Sequence, residues 1–423
     1  MRPWSASTSV GSGGRQQLGD REDDPSSQLH PLGYHVGSCK CVREARPQDG
    51  ARADRGPGAE GGGACAPPLP RWRAGSSPRG MLCPTRAFPS GEAVVRDDPQ
   101  QSLFFDPTSH SLRHVVESQQ FDRDMLTELF KVAVEMEAVS APGATGHPWK
   151  HLLRGFIMST LFYEPSTRTR LSFESAMRRL GGTVLTTESA GEYSSAAKGE
   201  TLEDTIRTVE GYCDCVVLRH FESGASRRAA AASSIPIINA GDGPGQHPTQ
   251  ALLDVYTIQR EIGRLDNIRV ALVGDLANGR TARSLAYMLS KFNDVEFVFV
   301  APPVVAMGDD IKGYLDSKGV KWSEEYDLLK AAAYVDVIYQ TRIQKERFGD
   351  RVDDYEAARG KYIVDRAVMD ALRPSAIVMH PLPRVDEISV EVDADPRAAY
   401  FRQAKNGLFI RMAILKMLLQ PDA

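Results

Sequence analysis

Short apolar runs alternate with amphipathic stretches through most of the chain beyond residue 100. The runs that predict strands cover 155–162, 183–186, 215–218 and 235–239, and the helical patterns between them cover 169–180 and 202–212. The first of these helices has its stop signal at Gly181-Gly182. Because parallel strands are usually joined by helices, this order predicts a parallel sheet covered on both faces.

The same alternation begins again after a long helical pattern at 248–262 and a Gly263-Arg264-Leu265-Asp266 break. Further strands are predicted at 269–273, 295–300, 335–339 and 376–379, with one helix from about 281 and another over 400–419. The predicted fold class is α/β, with two doubly wound parallel-sheet domains joined by long helices. The first domain comprises 100–247 with 400–423, the second comprises 264–399, and 248–263 is the interdomain helix.

The first 95 residues differ in composition from the rest. They are rich in Gly, Pro, Ser, Ala and Arg, contain Lys40 as their one lysine, and lack a sustained apolar period. Such a segment cannot repay the entropy of ordering, so residues 1–95 are predicted to form a disordered leader. Its Arg and Ser content is typical of an organelle transit peptide, although the acidic residues within 20–24 depart from that pattern. The alternative is an unprocessed extension ahead of an internal start such as Met81.

Composition and charge narrow the class of partner. A formal net charge of -4 gives no basic field for nucleic acid, and no apolar run approaches the length of a membrane span. Four of the six cysteines lie in the leader, whereas Cys213 and Cys215 flank Asp214 without a His or Cys pair at metal spacing. These features favour a small-molecule partner, a reducing compartment and no zinc site.

Polar clusters follow several of the predicted strands, and the first is Ser166-Thr167-Arg168-Thr169-Arg170. In open parallel sheets, ligands bind beyond the carboxyl ends of the strands. Free backbone N–H groups, hydroxyls and arginines at a helix N-terminus suit a phosphate. The alternative is a simple helix cap with solvated arginines.

Two further clusters fit the same anion. Arg219 follows the strand at 215–218 and has the geometry to hold a phosphate bidentately, unless it is an exposed loop arginine. His247 ends a glycine-rich run at a helix N-terminus, which lowers the pKa of a histidine and keeps it neutral. A neutral His247 can donate a hydrogen bond to an oxyanion, whereas the alternative is a helix cap.

Clusters in the second half indicate a carboxylate ligand. The segment 274–281 looks like a P-loop with Arg280 in place of lysine, but Asp275 would oppose phosphates and no second acidic motif for magnesium is evident. Arg280 is therefore interpreted as a carboxylate fork, which pairs with Arg342 to hold a dicarboxylate. The prolines of Pro381-Leu382-Pro383 fix a turn whose carbonyls can accept from an amine.

Together these segments resemble the catalytic chains of aspartate carbamoyltransferases, most closely the plant type. The resemblance runs from about residue 100 to the end. Its motifs are Phe162-Tyr163-Glu164-Pro165-Ser166-Thr167-Arg168-Thr169-Arg170, Lys198-Gly199-Glu200-Thr201, His247-Pro248-Thr249-Gln250, Gly274-Asp275 with Gly279-Arg280-Thr281, and His380-Pro381-Leu382-Pro383-Arg384.

The resemblance implies a role for each matching residue. Carbamoyl phosphate is held by Ser166, Thr167, Arg168, Thr169, Arg219, His247, Gln250, Ser194 and Lys198. Aspartate is held by Lys198, Arg280, Arg342, Gln344, Leu382 and Pro383. The catalytic residues are Arg168, Thr169, His247 and Lys198. Ser194 and Lys198 lie on a loop that reaches the neighbouring subunit in this family, which implies a homotrimer with shared active sites. Glu164 is implied as a partner for arginines during domain closure.

The implied reaction uses no metal, cofactor or covalent intermediate. The aspartate amine attacks carbamoyl phosphate and phosphate leaves, in the committed step of de novo pyrimidine biosynthesis. The resemblance also implies inhibition by uridine monophosphate (UMP). We add the hypothesis that Tyr193 packs against the nucleotide, whose phosphate occupies the site of Ser166, Arg168, Thr169 and Arg219. The implied location is a chloroplast or other plastid, or otherwise the cytoplasm. The alternative functions are a carbamoyltransferase for another amine such as ornithine, and a catalytically silent oligomer partner.

Overall fold

The computed structural model describes residues 101–106, 111–144, 146–188, 190, 199–343, 353 and 360–422. The predicted leader at 1–95 lies outside the described residues. So do four residues of the predicted site, which are Tyr193, Ser194, Lys198 and Gln344.

The first sheet has four parallel strands in the order β2-β1-β3-β4. The strands are β1 (Ile157–Phe162), β2 (Thr183–Glu188), β3 (Cys215–His220) and β4 (Ile237–Asp242), and the accompanying helices are α1 (Arg123–Ser140), α2 (Thr167–Arg179), α3 (Leu202–Val209) and α4 (Ala225–Ala232). Strands β1, β3 and β4 are buried along nearly their whole length, as expected for strands covered on both faces. The predicted parallel sheet is confirmed.

A long helix, α5 (Pro248–Ile262), follows β4. Pro248 is its first residue. The backbone N–H groups in the first turn of a helix have no acceptor within the helix, so a proline, which has no N–H, is well tolerated there. Gly263 ends it with φ of 81°, a left-handed conformation that glycine adopts without strain. Residues 248–258 of this helix are buried on every side, so it lies inside the molecule rather than on its surface.

The second sheet has five parallel strands in the order β7-β6-β5-β8-β9. The strands are β5 (Arg269–Val273), β6 (Glu296–Val300), β7 (Lys321–Glu325), β8 (Val337–Gln340) and β9 (Ile377–Met379), and the helices are α6 (Arg280–Leu289), α7 (Asp309–Ser317), α8 (Leu328–Ala332) and α9 (Arg366–Ala371). Four of these strands were predicted. Strand β7 was not, because it is a largely exposed edge strand without an apolar run.

The last helix, α10 (Tyr400–Leu419), packs against α1, α2 and α5. One hydrophobic core joins these helices to both sheets, for example through Met158 of β1 and Tyr339 of β8. Short 3-10 helices cover Gln101–Leu103, Ser118–Gln120, Pro148–His151, Pro303–Val305 and Val390–Ala394. The α/β class with two parallel sheets and long helices between them is confirmed.

Candidate active site

The strand order of each sheet places a crevice beside the predicted clusters. In the first sheet the chain adds β2 on one side of β1 and then adds β3 on the other side, so the strand order reverses between β1 and β3. In the second sheet the strand order reverses in the same way between β5 and β8. Ligands of open α/β sheets bind at such points, beyond the carboxyl ends of the strands. Helix α2 follows β1, Arg219 lies near the end of β3, α6 follows β5 and Arg342 follows β8.

A cavity of about 1020 Å³ lies at these strand ends. Its lining includes every predicted site residue that the structure describes: Ser166, Thr167, Arg168, Thr169, Arg219, His247, Gln250, Arg280, Arg342, Leu382 and Pro383. Residues from both sheets therefore face one space. Its size suits a small ligand of the kind that the sequence predicts.

The N-terminus of α2 forms one wall of the cavity. Ser166 is the N-cap residue, yet its hydroxyl makes no capping hydrogen bond within the described residues. That observation weakens the alternative of a simple helix cap. Arg168 faces the cavity, whereas the Arg170 Nη1 atom lies 3.1 Å from the Thr186 Oγ1 atom and 3.7 Å from Glu174. Of the two arginines at this helix end, Arg168 and Arg170, Arg168 therefore lines the cavity and Arg170 contacts the neighbouring strand and its own helix instead.

Arg219 is held from several sides in the floor of the cavity. Its Nη1 donates to the Ala240 carbonyl at 3.1 Å, and its Nη2 lies 3.3 Å from the Glu164 carboxylate. Burial, together with the charge of Arg280, lowers the pKa of Arg219 to about 10. A buried guanidinium in this setting gains from a bound anion, because the anion offsets both desolvation and the repulsion between the two arginines.

Gly241 allows the two guanidinium groups to approach each other. It has φ of 115°, and a Cβ there would lie 3.0 Å from the Arg219 Nη1 atom and 3.2 Å from the Arg280 Cζ atom. A larger residue would therefore be strained and would displace both side chains. The first glycine of the run before α5 is thus explained by close packing against two arginines.

His247 is buried at the start of α5. Its backbone N–H donates to the Ser284 hydroxyl at 3.1 Å, and its Nδ1 atom has no hydrogen-bond partner within the described part of the chain. The pKa of His247 lies well below its usual value, first because of burial and then because of Arg280, Arg219 and Arg411. The predicted neutral histidine agrees with this direction. The main cause, however, is burial among arginines, whereas the sequence argument relied on the helix terminus.

Arg280 starts α6 and reaches across the cavity. Its Nη1 donates to the Gly243 carbonyl at 2.6 Å and lies 3.6 Å from Glu164. The P-loop alternative fails on geometry, because Asp275 is fully buried and accepts from the backbone N–H of Asn278 at 3.0 Å. This aspartate shapes the loop, and the arginine that follows it lines the cavity.

The turn after β9 is held by His380. Its Nδ1 accepts from the Leu382 backbone N–H at 2.7 Å, so the proton of the neutral ring is on Nε2, which lies 2.8 Å from Glu387. Burial lowers the pKa of His380. Leu382 has φ of 53° and precedes a cis peptide bond to Pro383. The backbone of the predicted amine-binding turn is therefore fixed by a buried side chain.

Three polar residues of the lining were missed in the sequence: Ser172, Gln403 and Arg411. Arg411 is buried on α10, and its Nη1 donates to the Ser172 hydroxyl at 2.9 Å. Burial lowers its pKa to about 10. The position of Arg411 inside the apolar run 408–415 of α10 was the available signal, because a buried charge in an apolar stretch needs a partner or a ligand.

No group of three or more His, Cys, Asp or Glu side chains in the described ranges has a geometry that would hold a metal ion. Within the same ranges, no helix combines the length and apolar character needed to cross a bilayer.

Comparison with known proteins identifies the family. The carbamoyl phosphate-binding domain of the aspartate/ornithine carbamoyltransferases matches residues 113–260, and their Asp/Orn-binding domain matches residues 266–418. The chain belongs to the aspartate/ornithine carbamoyltransferase family. Within this carbamoyltransferase family it is 65% identical to the chloroplastic aspartate carbamoyltransferase of rice (Oryza sativa subsp. japonica) over 353 residues, which are 83% of this chain and 97% of the rice protein. It is 68% identical to the Arabidopsis thaliana protein of the same name over 73% of this chain and 78% of that one.

Solved structures of carbamoyltransferases share the fold. The aspartate transcarbamoylase of Trypanosoma cruzi in complex with carbamoyl phosphate and aspartate is 42% identical, with a TM-score of 0.68, and the match covers 73% of this chain and 97% of that one. The catalytic subunit of the Methanocaldococcus jannaschii enzyme is 49% identical, with a TM-score of 0.67, over 74% and 99% of the two chains.

Proposed function

We propose that this chain is an aspartate carbamoyltransferase, which converts carbamoyl phosphate and L-aspartate to N-carbamoyl-L-aspartate and phosphate. The observation that carries the proposal is one cavity that joins the N-terminus of α2 and Arg219 to Arg280 and Arg342 of the other sheet. The first group suits a phosphate, and the second suits carboxylates. The names of the relatives from rice and Arabidopsis support aspartate as the acceptor.

The phosphate of the donor binds at the start of α2, with Ser166, Thr167, Arg168, Thr169 and Arg219 as its ligands. The helix dipole and the free N–H groups favour a dianion there. The carbamoyl group then extends toward α5, where His247 and Gln250 line the cavity. Its carbonyl oxygen accepts from His247, Arg168 and Thr169.

The chemistry is a substitution at the carbamoyl carbon. The neutral amine of aspartate attacks that carbon, a C–N bond forms, and the C–O bond to phosphate breaks. Neutral His247 and charged Arg168 stabilise the developing oxyanion, and the amine proton leaves with the phosphate. Holding both substrates in one cavity accounts for much of the rate, since the reaction becomes effectively unimolecular.

Aspartate binds on the opposite side of the cavity. Arg280 and Arg342 hold its carboxylates, and the carbonyl of Leu382 with the adjacent Pro383 orients its amine. Gln344 is assigned to the same site by the resemblance to the family. Its position lies outside the described residues, as does that of Lys198, which completes both substrate sites.

A direct test compares acceptors. Purified protein supplied with carbamoyl phosphate is expected to release phosphate with aspartate and not with ornithine. Two arginines suit a dicarboxylate, whereas the cationic side chain of ornithine would meet like charge. Phosphate release with ornithine but not with aspartate would contradict the proposal and favour the alternative, an ornithine carbamoyltransferase.

The second part of the proposal concerns assembly. Ser194 and Lys198 lie on the loop that, in this family, enters the neighbouring subunit, so the active unit is a homotrimer with shared sites. Light scattering of the purified protein measures the mass of the assembly. Mixing inactive Arg168→Ala and Lys198→Ala proteins tests sharing, because hybrid trimers regain one intact site. Absence of recovered activity in verified hybrids would contradict shared sites.

The third part concerns regulation and pathway. UMP binds with its phosphate at Ser166, Arg168, Thr169 and Arg219, with Tyr193 against the nucleotide, and so inhibits a committed step of pyrimidine synthesis. Inhibition is then competitive with carbamoyl phosphate and is weakened in Tyr193→Ala. Non-competitive inhibition, or an unchanged inhibition constant in that variant, would contradict this assignment.

The fourth part concerns location and domains. We assign residues 1–95 to a plastid transit peptide, supported by the word chloroplastic in the names of the rice and Arabidopsis proteins. Fusion of residues 1–95 to a fluorescent protein tests this assignment, since a cytosolic signal would contradict it. We place the domain boundaries at 100–247 with 400–423, 248–263 and 264–399. Limited proteolysis with mass spectrometry tests them.

A further inference from the structure

Asp254 is a completely buried carboxylate on α5, one turn beyond Gln250. Its Oδ1 atom accepts hydrogen bonds from the Gln250 Nε2 atom at 2.9 Å and from the Gln403 Nε2 atom at 2.6 Å. Its Oδ2 atom accepts from the Tyr339 hydroxyl at 2.7 Å. Three elements, α5, β8 and α10, thus donate to a single carboxylate beneath the cavity.

This arrangement decides which way the Gln250 amide faces. An ionised carboxylate only accepts hydrogen bonds, so the NH2 group of Gln250 must point toward Asp254. The two ends of a glutamine amide are otherwise nearly indistinguishable in shape. Because Gln250 lines the cavity, its oxygen is the end left for a ligand. The cavity therefore presents an acceptor at this point and needs a donor from the ligand.

We propose that Asp254 is a positioning residue that selects a carbamoyl donor over other acyl phosphates by fixing the Gln250 amide. The inference rests on the proposed function and adds a basis for donor specificity. A carbamoyl group offers an NH2 to the Gln250 oxygen. Acetyl phosphate carries a methyl group at the same place and leaves that oxygen without a partner, which disfavours its binding.

The same carboxylate also connects the donor side to the acceptor side. Besides its bond to Asp254, Gln403 accepts from the His380 backbone N–H through its Oε1 atom at 2.9 Å. His380 in turn accepts from the Leu382 backbone N–H. The carboxylate of Asp254 fixes the orientation of the Gln403 amide as it fixes that of Gln250, since the NH2 group of Gln403 also points toward it. Asp254 thus orients two amides, one on each side of the cavity.

Burial raises the pKa of Asp254 to about 7, against the opposing effects of the hydroxyl of Tyr339, the amides of Gln403 and Gln250, and the charge of Arg411. The carboxylate is therefore ionised in mildly alkaline buffer. Measurements at pH 8 to 8.5 keep Asp254 in the form that only accepts hydrogen bonds, so the selection is tested there.

The test measures selectivity between donors. For each protein, the KM for carbamoyl phosphate with saturating aspartate is compared with the inhibition constant of acetyl phosphate. In Asp254→Ala, water replaces the carboxylate and the Gln250 amide is free to turn. We expect the KM for carbamoyl phosphate to rise at least tenfold, while the inhibition constant of acetyl phosphate changes less than threefold. If Asp254→Ala does not fold, Asp254→Leu, which fills the space, serves in its place.

Two further variants separate positioning from a general loss of structure. Tyr339→Phe removes the bond to Oδ2 but keeps the Oδ1 contact with Gln250, so its selectivity is expected to stay within twofold of wild type. Asp254→Ala in a Gln250→Ala background is expected to add no further loss of selectivity, because the effect of Asp254 passes through Gln250.

Unchanged selectivity in a folded Asp254 variant, or an equal loss in the Gln250→Ala background, would overturn the proposal. The proposed function fails in a different way. That failure appears as absent phosphate release from carbamoyl phosphate and aspartate in the wild-type protein, before any variant is compared.

Discussion

The carboxylate of Glu164 lies 3.6 Å from the guanidinium of Arg280. Glu164 follows β1 of the first sheet, whereas Arg280 begins α6 beside the second. The same carboxylate oxygen lies 3.3 Å from Arg219. One acidic side chain thus joins the two halves of the cavity and partly neutralises two arginines that are assigned to different substrates.

Replacement of Glu164 by glutamine is expected to raise the KM for aspartate about tenfold, because Arg280 loses a charged partner that orients it. Inhibition by inorganic phosphate is expected to become stronger, because the cavity gains net positive charge. Steady-state kinetics measure both constants. Glu174→Gln is the matched control, since Glu174 pairs with Arg170 away from the cavity lining. An unchanged KM for aspartate would remove Glu164 from this role.

Arg168→Ala is expected to lower kcat by about a hundredfold or more while the protein keeps its oligomeric mass, because one charged donor to the oxyanion is lost. Arg170→Ala is a close control. It lies on the same helix but contacts Thr186 on β2, so its kcat is expected to stay within a few-fold of wild type. Retained activity in Arg168→Ala would exclude this arginine from the mechanism.

His247 is expected to stay neutral across the physiological pH range, since burial and nearby arginines lower its pKa. Carbon-13 labelled histidine allows its ring signal to be followed by NMR, with His247→Gln used to assign the peak. The signal is expected at the neutral position from pH 8 down to pH 5.5. If the ring of His247 became protonated near pH 6.5, the proposal that a neutral His247 donates the hydrogen bond to the oxyanion would be contradicted.

His114 predicts a pH dependence of stability. Burial, with a smaller effect of Arg113, lowers its pKa from 6.5 to about 4, so the unfolded chain takes up a proton first as pH falls. The free energy of unfolding therefore falls between pH 6.5 and 4, by on the order of 3 kcal/mol from this residue.

A matched variant isolates the contribution of His114. The Nδ1 atom of His114 accepts from the Ile237 N–H at 3.0 Å, and asparagine keeps an acceptor there without titrating. Urea unfolding at several pH values is expected to show His114→Asn losing less stability than wild type as pH falls. Parallel pH curves for the two proteins would contradict the prediction.

Most of the fold could be predicted from the sequence because parallel strands that are buried on both faces consist mainly of short apolar runs. Strands β3 and β5 contain unbroken apolar runs, 215–218 and 270–273, of the short length typical of fully buried parallel strands. Strand β7 was missed for the opposite reason. Its residues are mostly exposed, and it pairs only with β6, so backbone hydrogen bonds define it and its side chains do not. Edge strands of this kind depend on a neighbour that is distant in sequence.

The site was predicted where each residue lies in a distinctive local cluster. Arg168 and Arg280 each follow a strand and Arg219 lies near the end of one, so the topology of parallel sheets was enough to bring them together. Gln403 and Arg411 were missed because they lie within a regular helical pattern and act through contacts with residues far away in the chain. The network at Asp254 was missed for the same reason, since its donors come from α5, β8 and α10.

The charge of the cavity has a consequence for how fast substrates arrive. Among its described lining residues are five arginines, Arg168, Arg219, Arg280, Arg342 and Arg411, and one carboxylate, Glu164. The protein as a whole carries a formal net charge of -4, so this opening is a local positive field on a negative molecule. Anionic substrates are drawn toward it during diffusion, and salt shortens the reach of the field to about 8 Å at physiological ionic strength. A higher ionic strength in the compartment is thus expected to lower the rate of productive encounter between the substrates and the cavity.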